Sequence, residues 1–247
     1  MTVAADRPTL VFVHGAGSNA GFWHEQQAAF PDARFPTLPG HFDPHSRRVT
    51  GQGLRSIDEY ADWVEGYVGD SGLANVVLNG HSMGGAIALL LALRGPAWLQ
   101  GIVLTGTGAR LRVSPQLLAL LRADYPAALD FIIERSFAHA GGPLSYAQKV
   151  RLNGTRRQLE RTPQAVTLGD YEACDRFDVA DRLSAIQVPA LCVVGALDEM
   201  APPANSEYLG NGLPDAHLVV VEGAGHMLPL EQPAAYNAAL AEFIASL

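Results

Sequence analysis

The feature that most constrains this chain is Gly80-His81-Ser82-Met83-Gly84-Gly85 together with what flanks it. Before it lies a short β-branched run at residues 75–78, and after it residues 83–93 are almost wholly apolar. The first pattern is a buried strand, and a helix apolar on every side is a central one. Ser82 therefore stands on a very tight strand-to-helix turn with strained backbone angles. Side chains two residues to either side would collide there, which accounts for Gly80 and Gly84. The turn lifts the hydroxyl clear of a sheet. It also puts the Met83 N–H at a helix N-terminus, where positive partial charge favours an anion. Gly-x-Ser-x-Gly in this setting is a nucleophile elbow. A glycine-rich turn that merely packs is the weaker reading.

The rest of the chain alternates in the same way. Residues 9–13, 101–104, 189–194 and 217–221 are short, β-branched-rich runs of the kind expected in parallel strands covered on both faces. Residues 33–37 are a weaker strand candidate. Ser56, with Glu59 three residues on, has capping-box spacing and predicts a helix to about Val68. Its apolar stripe is Ile57, Tyr60, Ala61, Val64 and Tyr67. Residues 234–244 predict the last helix. Strands alternating with helices indicate an α/β fold with a parallel sheet. The alternation stops between residues 110 and 182, where helical patterns at 115–121, 127–137 and 147–160 occur without a convincing strand. An all-helical insertion is expected there. The expected division is a sheet core, 1–109 and 183–247, and a helical insertion, 110–182.

Composition narrows the function. Of 247 residues, 48% are hydrophobic and 17% charged, which excludes a disordered chain. Two cysteines exclude a disulfide-stapled module; Cys174 and Cys192 lack C-x-x-C spacing and read as buried, inert thiols. The longest apolar runs fall far short of the roughly 20 residues of a membrane helix. Residues 1–8 carry Asp6 and Arg7 and no apolar core, so no secretory signal is read and a cytoplasmic protein is expected. A net charge of −8 without a basic stripe makes a poor nucleic-acid binder. The single lysine, Lys149, leaves little room for Schiff-base cofactor chemistry. No cofactor and no metal are expected.

A serine nucleophile needs a base. His226 lies just past the last strand, where catalytic groups gather at the carboxyl ends of parallel strands. His14, His24, His41, His45, His81, His139 and His217 are the other histidines. His81 is expected to point away across the turn. Asp198, again just past a strand, is the orienting carboxylate, with Glu199 its rival. Asp175 and Asp178 read as joining the insertion to the sheet. The Val13-His14-Gly15-Ala16-Gly17 loop follows the first strand. Its Ala16 N–H would be the second oxyanion donor beside Met83, with His14 holding the loop. No lysine follows at phosphate-loop spacing, which argues against nucleotide binding. His41, Asp43 and His45 could suggest a metal, but loop packing is the better reading.

Taken together, residues 14–15, 38–41, 80–85, 195–198 and 223–226 resemble the α/β-hydrolase fold superfamily, with closest similarity to small capped carboxylesterases. The order Ser82, Asp198, His226 is that family's order. The resemblance implies a mostly parallel sheet of about six strands flanked by helices, with the insertion as a helical cap. The first strand begins by residue 9, so the family's leading antiparallel hairpin is expected to be missing or greatly shortened. The loop at 37–45 departs from the family's Asp-x-Pro-Gly-x-Gly. Ser82 argues against the members with an aspartate nucleophile. The activity implied is hydrolysis of small, fairly apolar carboxylic esters through an acyl-enzyme. Lactone opening, C–C hydrolysis, perhydrolysis of the haloperoxidase type and cyanohydrin cleavage by the same triad stay open. So does a small-molecule receptor on the same scaffold. Phe22, Trp23, Phe131, Phe137 and Tyr171 are the candidate pocket residues. The expected partner is a small-molecule ester, not nucleic acid or membrane.

Overall fold

The computed structural model describes residues 7–138 and 145–247. His139 and most of the segment 1–8 lie outside the described residues. The strands are β1 (Thr9–Val13), β2 (Phe42–Asp43), β3 (Arg48–Val49), β4 (Val76–His81), β5 (Leu99–Thr105), β6 (Ala190–Gly195) and β7 (Ala216–Val221). The main sheet has five parallel strands in the order β1-β4-β5-β6-β7. β2, in the 37–45 loop that departs from the family pattern, pairs antiparallel with β3 just beyond it as a separate two-stranded sheet. The expectation of about six strands thus resolves into five and a fragment. Within 33–37, Arg34 alone bridges to Val11 at the β1 edge, exchanging bonds with Leu10 and Phe12. Pro36 lacks the N–H that the next rung would need.

The helices are α1 (His24–Ala29), α2 (Ile57–Asp70), α3 (Met83–Arg94), α4 (Pro115–Ala123), α5 (Tyr125–Ser136), α6 (Tyr146–Leu159), α7 (Gln164–Arg176), α8 (Pro203–Gly212), α9 (Leu228–Glu231) and α10 (Pro233–Ser246). α2, α3 and α8 cover one face of the sheet; α1 and α10 cover the other. Ser56 caps α2 by accepting from the Glu59 N–H at 3.1 Å, while the Glu59 carboxylate reaches the Arg55 N–H rather than that of Ser56. α3 buries every residue from Met83 to Ala92 and stops where Gly95 turns left-handed at φ 65°. Burying a Leu or Ile side chain stabilises by roughly 1.5–3 kcal/mol, so α3 anchors the layer beneath the serine. β7 corrects one expectation. It is an edge strand, as β1 is, and Leu218 and Val220 stand exposed rather than covered. No helix among the described residues is long and apolar enough to cross a membrane.

Between β5 and β6 the described residues contain helices and no sheet strand. α7 had no apolar signature because its buried positions are Thr167, Asp170, Ala173 and Cys174, half of them polar. The two ends of this segment between β5 and β6 lie side by side. Arg110 and Asp178 form a bridge and an ion pair at 2.8 Å, Arg112 reaches Asp178 at 3.3 Å, and Asp175 accepts the Val113 N–H at 2.9 Å.

Candidate active site

Ser82 sits between β4 and α3 with φ 54° and ψ −114°. A non-glycine residue at positive φ stores about 1–3 kcal/mol and persists only where its surroundings hold it. Here the Ser82 N–H donates to the Thr105 carbonyl at 2.9 Å, and the Ser82 carbonyl accepts from the Thr107 hydroxyl at 2.8 Å. A Cβ on Gly80 would overlap the Gly84 carbonyl, and one on Gly84 would overlap that of Val13. The two glycines therefore close the turn and let the loop after β1 approach it.

His226 follows β7, and its Nδ1 lies 2.8 Å from Asp198 Oδ2, with both side chains almost wholly buried. The other carboxylate oxygen accepts from the Met200 and Ala201 N–H groups at 2.9 and 2.8 Å. A carboxylate so placed assigns the proton to His226 Nδ1 and leaves Nε2 with a lone pair. Glu199 takes no part in this pair but lines the same cavity. The loops carrying Asp198 and His226 are joined by backbone bonds from Ala196 to Val221 and from Leu197 to Ala224, both 2.9 Å.

Two neighbours of His226 take parts beyond the sequence reading, which gave Glu231 none and had His81 only point away. Glu231 accepts the Gly225 N–H at 2.8 Å and the Ala138 N–H at 2.7 Å, tying the histidine loop to the end of α5. Burial raises its pKa against those two bonds. A lone acid behind the apolar run of residues 227–230 is the signal that marks it. His81 does not line the cavity, but it does more than point away. Its Nε2–H donates to the His226 carbonyl at 2.9 Å, and its ring stacks on Phe22. Burial, then the nearby His226, hold its pKa well below the ordinary value, so it is neutral.

The loop after β1 is held by His14. Its Nδ1–H donates to the Gly15 carbonyl at 2.9 Å and its Nε2 accepts the Leu38 N–H at 3.0 Å. Burial, then His41, keep His14 neutral as well. Met83 opens α3, where first-turn N–H groups have no helical acceptor.

Ser82, His226 and Ala16 line one cavity of about 340 Å³. Of the five aromatic candidates, Phe131 and Tyr171 line it; Phe22, Trp23 and Phe137 do not. Those three are buried in the apolar cluster on the α10 face, where Phe22 and Trp23 pack edge-on against one another. The lining is also less apolar than expected. Arg110, Arg112, Arg135 and Glu199 contribute to it, and the Arg135 guanidinium lies 3.8 Å over the Phe131 ring. Cys174 lines it too, but burial pushes its thiol pKa up, as burial pushes Cys192 up to about 12, so neither is a thiolate. In the 37–45 loop, Asp43 accepts from the His45 and Ser46 N–H groups, and His41 turns inward. Loop packing engages both.

With this geometry stands a match of residues 10–239 to the model of the alpha/beta hydrolase family. The chain belongs to that family and is a hydrolase by kinship. A pimeloyl-[acyl-carrier protein] methyl ester esterase of Neisseria meningitidis serogroup B is 27% identical over 257 residues, covering 95% of this chain and 92% of that one. A solved thermophilic esterase is 31% identical with a TM-score of 0.81, covering 98% of this chain and 91% of its own. The enol-lactonase of Burkholderia xenovorans LB400, at 24% identity and TM-score 0.85 over 98% of this chain and 92% of its own, shares the fold.

Proposed function

We propose that the chain is a serine hydrolase cleaving carboxylic esters of small substrates, with Ser82 as nucleophile, His226 as general base and Asp198 as its orienting carboxylate. The observation that carries this reading is the buried Asp198–His226 pair bordering the same cavity as the strained Ser82. His226 Nε2 takes the Ser82 hydroxyl proton as Oγ attacks the ester carbonyl. The Ala16 and Met83 N–H groups receive the oxyanion. The proton passes to the leaving alcohol, and water, activated by the same histidine, releases the acid and restores Ser82. Asp198 keeps the imidazolium oriented throughout. The insertion, 110–182, acts as the cap, and its Phe131 and Tyr171 bound the substrate. The meningococcal relative's name describes an ester cleavage, which supports the substrate class. Two free, buried thiols fit a cytoplasmic location.

The test is a panel of nitrophenyl esters of rising chain length, lactones and a C–C cleavage substrate, run on wild type and Ser82→Ala. Ester turnover by the wild type, lost by about 10⁶-fold in Ser82→Ala, is the expected result. Undiminished ester hydrolysis by Ser82→Ala would overturn the reading. Absence of both turnover and fluorophosphonate labelling of the folded wild type would point to a receptor instead.

A further inference from the structure

One buried charged cluster has no part in that mechanism. Asp170, on α7 of the insertion, and His41, in the loop before β2, are both wholly buried. Asp170 Oδ2 lies 2.8 Å from His41 Nε2 and accepts the Gly17 N–H at 2.9 Å, while Oδ1 accepts the Tyr60 hydroxyl at 2.6 Å. His41 Nδ1 lies 3.0 Å from the Pro39 carbonyl. A carbonyl and a carboxylate are both acceptors, so both ring nitrogens carry hydrogen and His41 is an imidazolium. Burial opposes that charge, but the field and hydrogen bond of Asp170, together with the Pro39 and Leu38 carbonyls, outweigh it and raise the His41 pKa. Every oxygen of Asp170 therefore faces a donor, and its counter-charge is locked in place.

What this cluster grips is the loop after β1. A trans peptide is planar, so its C=O and N–H point opposite ways. The Gly15 carbonyl is held by His14 Nδ1–H at 2.9 Å and by the Ser18 N–H at 3.2 Å. That sets the direction of the Ala16 N–H in the same peptide. The next peptide, between Ala16 and Gly17, is held by Asp170 through the Gly17 N–H. Both peptide planes that flank Ala16 are thus fixed, one from the sheet side and one from the insertion. The two clamps also touch, since the His14 and His41 rings lie edge-on with centroids 4.8 Å apart.

We infer that Asp170 is a positioning residue: paired with His41, it aims the oxyanion loop, so that the helical insertion completes the oxyanion hole as well as bounding the pocket. The inference rests on the serine-hydrolase reading above. Transition-state stabilisation by a preorganised donor is lost when the donor shifts by a fraction of its bond length, whereas ground-state binding is little changed.

The experiment is steady-state ester hydrolysis by wild type, Asp170→Asn and His41→Asn, each with inhibition by an alkyl boronic acid, which forms a tetrahedral adduct on serine. For Asp170→Asn we expect kcat to fall about 10- to 100-fold with KM unchanged, and boronate affinity to fall by a similar factor. A purely structural role would lower the melting temperature and leave the kcat and boronate affinity of the folded fraction alone. Unchanged kcat in folded Asp170→Asn, or a rise in KM alone, overturns the inference. If Asp170→Asn does not fold, His41→Asn decides, since it keeps the carboxylate and strips its counter-charge: a parallel fall in kcat and boronate affinity supports the inference, and wild-type values overturn it. An inactive Ser82→Ala beside a fully active Asp170→Asn removes only the positioning role. An active Ser82→Ala removes the function reading itself.

Discussion

α3 and α7 pack on one another, and opposite kinds of contact hold them. α3 buries apolar residues along nearly its whole length, whereas α7 buries Thr167, Asp170, Ala173 and Cys174. Apolar packing is non-directional and tolerates swaps of similar volume. A buried carboxylate tolerates none, because each oxygen needs its donor in place. The helix beneath Ser82 therefore supplies stability, and the helix across the pocket supplies aim. Asp198 belongs with Asp170 in this respect: a buried carboxylate with both oxygens engaged, one of them on a loop of the site.

That division can be broken by substitution. The largest effect should come from Asp198→Asn, which keeps the shape but favours the wrong His226 tautomer; kcat for a nitrophenyl ester should fall about 10⁴-fold with the melting temperature little changed. A kcat close to wild type would mean that packing alone sets the geometry. Leu89→Ala should do the reverse. It removes a fully buried side chain from α3, so urea unfolding should show a loss of about 2–5 kcal/mol while kcat of the folded protein is retained. A fall in kcat as large as that of Asp170→Asn would erase the distinction between the two helices.

The smallest effect, and the sharpest test, lies in the pH dependence of stability. His14 and His81 have pKa values below the ordinary 6.5, so the unfolded chain binds more protons there and stability falls as pH drops below 6.5. His41 has a raised pKa, so the folded chain binds more protons above 6.5 and stability falls as pH rises from 6.5 through that raised value. In melting temperature against pH, the contribution of these three histidines to stability should therefore be greatest near pH 6.5. His41→Asn should flatten the alkaline limb and also weaken the acid limb, because His41 is one cause of the low His14 pKa, leaving the part due to burial and to His81. An alkaline limb unchanged in His41→Asn would mean that the buried pair is not ionised.

Much of the candidate site was legible because its parts are local. Gly80 and Gly84 are required by atoms within four residues and by the adjoining strand end, and the elbow reads directly from six letters. Ser82, Asp198 and His226 each stand just past a strand that announces itself by β-branched residues. The pocket was less legible. Phe22, Trp23 and Phe137 are aromatic like Phe131 and Tyr171, and nothing in composition says which ring faces a cavity and which faces a sheet. α7 was missed because helical spacing of polar buried residues carries no hydrophobic signal.

Local sequence determined the strand–turn–helix units, the parallel α/β class and the residues at the strand ends, because backbone sterics and apolar periodicity act over a few residues. Only tertiary structure decided how those ends are aimed. Asp170 and Gly17 are 153 positions apart, and Asp170 and His41 129 apart; no short-range pattern relates them. Their meeting depends on where the helices between β5 and β6 pack against the loops that follow β1 and precede β2. There, loss of water makes a charge pair with every donor matched the arrangement that keeps a buried carboxylate in place.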